Sequence, residues 1–376
     1  MIICHPVCVY LPHICSCLDK KNILVCPLDW GLGHASRMVP VIEMIEKKGG
    51  NVIIAADNSP LDFLTQRFPK NTTIKLSGYS PSYPTNGNMA LAMIKSLPEM
   101  IRKSKRANEE LQKIIAKFNI CAVISDNRYE LATSKIPTVF ITHQLNIQTS
   151  GWQTMAKPII NKLVNHYVGM FDEIWIPDLN NDFQLSGKLS ISSKFRNKSY
   201  KVGLLSRFSS KSINNIKESI DVLIILSGPE PQRTILEKLL LSQALKSELK
   251  TTILLAKPGE NINKKVNNVT IISHLPDAEF AKTIQSAKVI ISRPGYSTLM
   301  DLSVFNKKAI FIPTPGQTEQ EYLAKRLFDK GIAFSQNQNN FDLSKSLTEL
   351  RKFKNLHVEN IPELLENRVD NLLNNC

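Results

Sequence analysis

From residue 22 onward, short runs of Val, Ile and Leu alternate with segments in which apolar residues recur every three or four positions. The short runs are typical of strands buried on both faces, and the wider spacing is typical of helices that cover a sheet. The helix predicted after the first run places Met38, Val41, Ile42 and Ile45 on one face. This alternation predicts βα units around a parallel sheet.

Two such series are present, and a polar segment separates them. The first series has predicted strands at NILVCPL, NVIIAAD, TIKLSGY, CAVISDN, TVFITHQ and EIWIPD, with a long helix over residues 89–118. The segment after Asp178 is rich in Ser, Asn and Lys, and we interpret it as a linker. The second series runs through DVLIILSG, TTILLAK, VTIISH, KVIIS, KAIFIP and IAFSQ, and HVENIPELLENRVDNLLNN ends the chain as an amphipathic helix.

The two series predict an α/β protein with two Rossmann-like domains that face each other across a cleft. We divide the chain into residues 1–21, a disordered leader or misassigned start; 22–200, the N-terminal domain with the linker; 201–355, the C-terminal domain; and 356–376, the final helix. In open α/β sheets, ligands bind outside the carboxyl ends of the strands. The strand-end loops are therefore where functional residues are expected.

Composition narrows the class of protein without choosing a function. Hydrophobic residues make up 43% of the chain and charged residues 21%, which are globular values. The net charge of +14 suits anionic partners such as nucleotide phosphates, nucleic acid or acidic lipids. Charge alone does not distinguish these partners, and no run of 18 apolar residues predicts a membrane-spanning helix.

The cysteines crowd the amino terminus. Cys4, Cys8, Cys15 and Cys17 lie within the first 17 residues, but they lack the paired Cys-x2-Cys spacing of a structural metal site. The three remaining cysteines, Cys26, Cys121 and Cys376, are too few for a disulfide framework. We therefore expect a cytoplasmic protein without a bound metal.

The loop PLDWGLGHASR follows the first strand and opens a helix. Gly31, Gly33 and Ser36 match the dinucleotide fingerprint G-x-G-x-x-G only in part, which makes an NAD enzyme a weak interpretation. His34 and Arg37 suit a helix N-terminus that faces an anion, because free N–H groups and the helix dipole already attract negative charge. His34 is also a candidate for proton transfer, and the alternative is a helix-start histidine in solvent.

Two strand-end loops in the second half have related features. In IISRPGYSTLMD, Arg293, Gly295, Ser297 and Thr298 form a helix start suited to an anion, and Asp301 follows one turn later, where it could reach ribose hydroxyls. A capped helix with a surface acid is the alternative. In IPTPGQTEQEYLAKRL, the carboxylate and amide groups suit sugar hydroxyls, although helix propensity alone would also explain them: Gln317, Glu319, Gln320 and Glu321.

With these three motifs in this order, the chain from about residue 22 resembles nucleotide-sugar glycosyltransferases of the GT-B fold, nearest to MurG-like enzymes and their bacterial relatives. GLGHASR is similar to the Gly-x-Gly-His loop of the acceptor-side domain, and SRPGYSTLMD to the donor loop, with Asp301 at the ribose-binding position. The resemblance implies that Glu319 and Gln320 contact the donor sugar. It also implies that the final helix crosses back to the first domain.

The resemblance implies inverting transfer of a hexose from a UDP-sugar to an acceptor hydroxyl. His34 would be the general base, and Asp126, at the end of CAVISDN, would orient it as an aspartate does in related transferases; a helix cap is the alternative for Asp126. The expected diphosphate-binding groups are the helix start after Gly295, Arg293, and Ser227, Gly228 and Arg233 of the SGPEPQRT loop. No Asp-x-Asp motif occurs, so we expect neither a metal clamp nor a cofactor besides the nucleotide-sugar co-substrate.

The acceptor is not specified by these motifs. Gly31, Gly33, Arg37, Arg128 and His143 are expected to line its side of the cleft or bind an anion. Basic amphipathic segments at 89–118 and 151–171 are compatible with a lipid-linked acceptor in cell-surface glycan or glycolipid synthesis, and with peripheral contact at the inner face of an anionic membrane. A solvated basic helix is the alternative, and nucleic acid is not an expected partner.

Two other functions remain open. The GLGHASR loop also resembles that of the UDP-sugar hydrolase of the pseudaminic acid pathway, in which the histidine serves water. A non-catalytic protein that binds nucleotides or polyanions would use the net charge of +14 as its main attraction.

Overall fold

The computed structural model describes residues 21–78, 89–147, 157–180, 184–208, 216–257 and 259–376. The expected leader, apart from its last residue, and residues 151–156 of the basic segment lie outside these ranges. Across the described ranges, no helix combines the length and the apolar character needed to cross a bilayer.

The first domain contains a seven-stranded parallel sheet in the order β3-β2-β1-β4-β5-β6-β7. Its strands are β1 (Asn22–Pro27), β2 (Asn51–Ala56), β3 (Thr72–Lys75), β4 (Ile120–Asp126), β5 (Thr138–Ile141), β6 (Glu173–Ile176) and β7 (Ser199–Lys201). Its helices are α1 (Leu32–Lys47), α2 (Asn58–Arg67), α3 (Met89–Phe118) and α4 (Lys157–Val168). The predicted apolar face of α1 is confirmed, because Met38, Val41, Ile42 and Ile45 are all buried.

The second domain contains another seven-stranded sheet, in the order β10-β11-β9-β8-β12-β13-β14. Its strands are β8 (Ile220–Ile225), β9 (Thr251–Leu254), β10 (Asn263–Val266), β11 (Val269–Ile272), β12 (Ala287–Ser292), β13 (Lys308–Phe311) and β14 (Phe334–Ser335). Its helices are α5 (Gln232–Leu245), α6 (Asp277–Gln285), α7 (Tyr296–Ser303), α8 (Thr318–Asp329) and α9 (Leu343–Leu350), and α10 (Pro362–Asn374) follows. The expected class, α/β with two Rossmann-like domains, is confirmed.

Both sheets reverse their strand order at an equivalent point. In the first sheet β1 lies between β2 and β4, and in the second β8 lies between β9 and β12. The strand ends meet there, since Pro27 is paired with Asp126 and Ile225 with Ser292. Loops that leave neighbouring strands in opposite directions open a crevice, so each domain has its ligand-binding edge at this position.

The polar segment after Asp178, interpreted as a linker from the sequence, contains short elements that the sequence did not predict. Short 3-10 helices form at Gly187–Ser190 and Arg196–Lys198, and β7 adds an edge strand to the first sheet. Asp178 is fully buried and accepts hydrogen bonds from the backbone N–H groups of Leu179, Leu185 and Ser186. Hydrogen bonds to the buried Asp178 carboxylate therefore organise this segment, although its sequence shows no apolar periodicity.

Strand β10 was also missed by the sequence analysis. Its residues, NKKV, are all exposed, and it pairs antiparallel with β11 through a tight turn. Asn267 occupies the left-handed region there, with φ of 53°. An exposed edge strand buries no face, so it shows no hydrophobic pattern; the Asn-Asn pair at the turn was the available signal.

The final helix α10 lies against the first domain. Lys48, just beyond α1, forms ion pairs with Glu366 and Asp370 at 2.7 and 2.8 Å. The apolar face of α10, including Leu365, Val369 and Leu372, is buried. The carboxyl-terminal Cys376 forms a disulfide with Cys121 of β4, although the sequence analysis had found too few cysteines for a framework. The two cysteines are 255 residues apart, so spacing does not reveal their pairing.

Candidate active site

The first turn of α1 places two side chains over the end of β4. Gly31 precedes the helix with φ of 75°, a conformation that glycine adopts without a steric penalty. His34 and Arg37 are three residues apart in α1, so they lie on the same face of the helix. Because β1 and β4 are neighbours, this face meets Asp126, the last residue of β4.

These three residues form a hydrogen-bonded cluster. Arg37 donates from Nε to Asp126 Oδ2 at 2.6 Å, and from its Nη2 to Asp126 Oδ1, in a bidentate pair. His34 Nδ1 lies 3.2 Å from Asp126 Oδ1 and 2.9 Å from Arg37 Nη2. It therefore donates to the carboxylate in one tautomer and accepts from the guanidinium in the other. Asp126 is fully buried, Arg37 is 1% exposed and His34 is 14% exposed, so His34 is the member that solvent reaches.

The protonation of the cluster follows from its charges. Burial opposes ionisation of Asp126, but the Arg37 guanidinium, and then His34, hold its pKa below the ordinary value. Burial lowers the pKa of His34, while Asp126 acts in the opposite direction and Arg37 adds to the lowering. Since Arg37 already neutralises the carboxylate, little of its charge remains to stabilise an imidazolium. His34 is thus neutral at pH 7.

His143, which follows β5 in the first domain, connects the cluster to two residues of the second domain, Glu319 and Tyr296. His143 Nδ1 lies 3.2 Å from Arg37 Nη1, and His143 Nε2 lies 2.9 Å from Glu319 Oε1 at the start of α8. Burial opposes ionisation of Glu319, but the charge and hydrogen bond of His143 hold its pKa below the ordinary value. The Tyr296 ring stacks on His143 with centroids 4.0 Å apart, and its hydroxyl donates to the Pro177 carbonyl at 2.8 Å. The site is therefore built from both domains.

The start of α7 meets the start of α1 directly. Ser297 Oγ donates to the Gly33 carbonyl at 2.8 Å. A Cβ added at Gly33 would lie only 3.1 Å from Ser297 Oγ. Gly33 therefore permits close approach of the two helix starts. Gly295 is the N-cap of α7, and Ser297 and Thr298 follow in its first turn without a side-chain cap from any described residue. Their backbone N–H groups suit an anion.

Comparisons with known proteins agree with this architecture. Residues 223–375 match the family described as glycosyltransferase family 28 C-terminal domain. An uncharacterized glycosyltransferase of Methanosarcina acetivorans is 26% identical over 83% of this chain and 84% of its own length. The glycotransferase of kitacinnamycin, a solved structure, has a TM-score of 0.64 with 12% identity and covers 95% of both chains. The chain is a GT-B glycosyltransferase.

A further relative has a more specific name. A protein of Campylobacter fetus is 23% identical over 90% of this chain and 92% of its own length. It is named UDP-N-acetylglucosamine--N-acetylmuramyl-(pentapeptide) pyrophosphoryl-undecaprenol N-acetylglucosamine transferase. The expected resemblance to MurG-like or related GT-B enzymes is thus confirmed.

Two arginines expected at the diphosphate of this glycosyltransferase are buried instead. Arg293 is fully buried, and its guanidinium donates to the carbonyls of Ile312 and Pro313, both at 2.9 Å, and to Gln338. Burial lowers its pKa to about 10. Arg233 is 9% exposed and is paired with Glu230 and Glu237. Arg233 also donates to the Leu255 carbonyl at 3.2 Å, so both guanidinium groups join neighbouring loops on the donor side. Their contact with the donor stays a prediction.

Asp301 and Gln320 are also engaged within the protein. Asp301 accepts from Ser206 Oγ at 2.8 Å and pairs with Arg207 Nε at 3.2 Å, and burial raises its pKa despite that arginine. Gln320 Oε1 accepts the Thr314 N–H at 2.8 Å. Asp301 holds the chain that joins the domains, and Gln320 shapes the loop before α8. Both polar groups therefore have partners within the protein, and their contact with a ribose or sugar stays a prediction.

The acceptor-side arginines likewise differ from expectation. The Arg37 guanidinium is paired with the Asp126 carboxylate, so Arg37 belongs to the cluster with His34 and is not a free anion-binding group. Arg128 is 2% exposed and donates to the Leu76 and Ser77 carbonyls and to Glu130. It therefore fixes the loop after β3 and does not line the cleft. His143 is 6% exposed and lies between Arg37 and Glu319.

The remaining donor-side residues keep open positions. Gly228 is exposed at φ of 100°, next to Ser227 beyond β8, and Gln317 is the N-cap of α8. Tyr296 was missed by the sequence analysis, although it lies within the quoted PGYST motif. Its ring joins the domains through a stack and a carbonyl contact, and sequence spacing carries no signal for either.

Proposed function

We propose that this glycosyltransferase moves a sugar from a UDP-sugar to an acceptor hydroxyl, with inversion at the anomeric carbon and with His34 as general base. The observation that carries the proposal is the contact of His34 with Asp126 beside the joined helix starts of α1 and α7. At this contact, a proton acceptor of the first domain, His34, lies beside an anion-binding helix start of the second domain, α7.

The proton would leave the acceptor hydroxyl through His34 Nε2. In the tautomer that donates from Nδ1 to Asp126, Nε2 is unprotonated and lies on the far side of the ring from the carboxylate. A neutral imidazole accepts the proton as the hydroxyl oxygen attacks the anomeric carbon. Asp126 then stabilises the imidazolium, and Arg37 keeps that carboxylate ionised and in place.

The departing nucleoside diphosphate needs compensation for its growing charge. The first backbone N–H groups of α7, together with the open loop at Ser227 and Gly228, suit this role. Because Ser297 touches Gly33, substrate access requires the two loops to separate, and their return would exclude water. The name of the Campylobacter relative supports UDP as the nucleotide.

We propose a lipid-linked acceptor, in synthesis of a cell-surface glycan or glycolipid. The net charge of +14 suits peripheral contact with an anionic cytoplasmic leaflet, where such an acceptor would be reached. The printed name of the Campylobacter relative includes an undecaprenol-linked acceptor, which supports the same class here.

The proposal is tested by incubating the full chain with a panel of UDP-, dTDP- and GDP-sugars, with and without lipid-linked and free saccharide acceptors. We expect release of UDP that depends on the acceptor, and equal rates with and without EDTA, because helix N–H groups rather than a cation hold the diphosphate. Equal UDP release without any acceptor would instead indicate the nucleotide-sugar hydrolase. No release of nucleoside diphosphate from any sugar in the panel, together with salt-sensitive binding of polyanions, would indicate the non-catalytic alternative.

The rate should depend on the protonation of His34. Because its pKa lies below the usual 6.5, the neutral, competent form predominates at pH 7 and is lost only as the pH falls through that lower value. We therefore expect kcat/KM to be flat near neutrality and to fall tenfold per pH unit at the acid end, with a midpoint below 6.5. A midpoint above 7 in the pH profile would contradict a neutral base at this position.

A further inference from the structure

A cavity lies at the β7 edge of the first domain. Its volume is about 640 Å³, within the range of small-molecule sites. One wall is the edge strand β7 with the segment before it, and the other is α10. Since β5 and β6 separate β7 from β4, this cavity is distinct from the cluster at His34 and Asp126.

Three cationic side chains line this cavity. Arg196 is exposed and makes no ion pair with any described residue. The Lys201 side chain is 12% exposed; its Nζ donates to Ser190 Oγ at 2.8 Å and lies 3.7 Å from Asp178. Arg368 of α10 pairs with Glu173 and stacks on the Tyr200 ring at 3.9 Å. Lys201 and Arg368 are half-buried and partly compensated by carboxylates, so Arg196 supplies the uncompensated positive charge at the rim.

The rest of the lining suits a hydroxylated molecule. Ser192, Ser193 and Ser199 provide hydroxyl groups, and Asn367 provides an exposed amide on α10. Ser199 Oγ and Arg368 Nε are buried without a hydrogen-bond partner among the described residues, so the wall carries unsatisfied polar capacity. Hydroxyl and amide groups bind sugar hydroxyls, and guanidinium and ammonium groups bind phosphate or carboxylate.

We infer that this cavity is a second ligand site, for a small saccharide that carries a phosphate or a carboxylate. Arg196 and Lys201 would bind the anion, and the serines and Asn367 the sugar hydroxyls. Because β7 belongs to the first domain and α10 comes from the end of the chain, the ligand would contact both walls. The inference does not depend on the donor or acceptor proposed above.

The experiment is calorimetric titration of the full chain with glucose 1-phosphate, glucuronic acid, neutral glucose and inorganic phosphate. The key variant is Arg196→Gln, since this exposed side chain has no described partner whose loss would unfold the protein. Lys194→Gln removes the same charge from an exposed neighbour that does not line the cavity. Asn367→Ala tests the opposite wall.

We expect one of the two acidic saccharides to bind more tightly than glucose and more tightly than phosphate, and the better one identifies the anion. Arg196→Gln should weaken that binding about tenfold, the value of one charge-assisted contact, and Asn367→Ala should also weaken it. Lys194→Gln should leave it within about twofold, because salt screens a more distant charge. The inference is overturned if neither saccharide binds or if phosphate alone binds as tightly. It is also overturned if Arg196→Gln and Lys194→Gln behave alike, because binding would then not depend on this cavity.

Discussion

Replacement of His34 by alanine is expected to lower kcat for sugar transfer by about 10²–10⁴-fold, the usual contribution of a positioned general base. The reason is geometric, because no other described side chain combines contact with Asp126 and access to solvent. The donor KM should change little, since the imidazole acts on the acceptor hydroxyl and not on the nucleotide. The measurement is steady-state transfer with the donor found in the panel.

The matched control for that variant is His357→Ala, because His357 is an exposed histidine between α9 and α10, away from the carboxyl ends of the strands. It should retain wild-type kcat. Thermal unfolding of both variants shows whether the fold is kept. A folded His34→Ala protein with kcat within a few-fold of wild type would remove His34 from the mechanism.

Replacement of Asp126 by alanine is expected to lower both stability and activity. It leaves the Arg37 guanidinium, 1% exposed, without its bidentate partner, and an uncompensated buried charge costs about 3–5 kcal/mol of unfolding free energy. His34 also loses the group that orients it, so transfer should fall even at temperatures where the variant is folded. Urea denaturation gives the first quantity and kcat the second.

A double variant separates the charge from the loss of packing. Arg37→Met with Asp126→Leu removes both charges and keeps an apolar filling, so it should recover much of the stability lost in Asp126→Ala while remaining inactive. Asp221→Ala, which removes a surface ion pair with Lys288, is the control and should shift the denaturation midpoint much less. Additive losses at Arg37 and Asp126 would contradict a coupled buried pair.

The site was partly readable because helix starts have local signatures. The motifs GLGHASR and RPGYST each predict a turn with glycine that leads into a helix. The structure places both motifs at the contact between the domains. The function of Asp126 was suggested only by a resemblance, because a carboxylate after a strand is equally a helix cap. Its contact with His34 spans 92 residues and exists because β1 and β4 are neighbours.

The arginines show why the remaining site could not be predicted. Four arginines follow strand ends, either in the next loop or in the first turns of the next helix, and each was a reasonable anion-binding candidate: Arg37, Arg128, Arg233 and Arg293. The structure turns Arg128 and Arg293 to backbone carbonyls and pairs Arg37 and Arg233 with carboxylates. A buried guanidinium must satisfy its donors within the protein, and the partners are decided by loops distant in sequence.

By itself, the sequence determined the succession of strands and helices, the division into two α/β series and the positions of the loops that can bind anions. These properties are local: hydrophobic periodicity and glycine conformation act over a few residues. Only the tertiary structure decided which strands are neighbours, and hence that His34, Asp126, His143 and Glu319 meet. It also decided that Cys376 reaches Cys121 and that α10 closes a cavity against β7. These contacts join residues that are distant in the sequence, and no periodic pattern in the sequence predicts them. They arise from the packing of the whole fold.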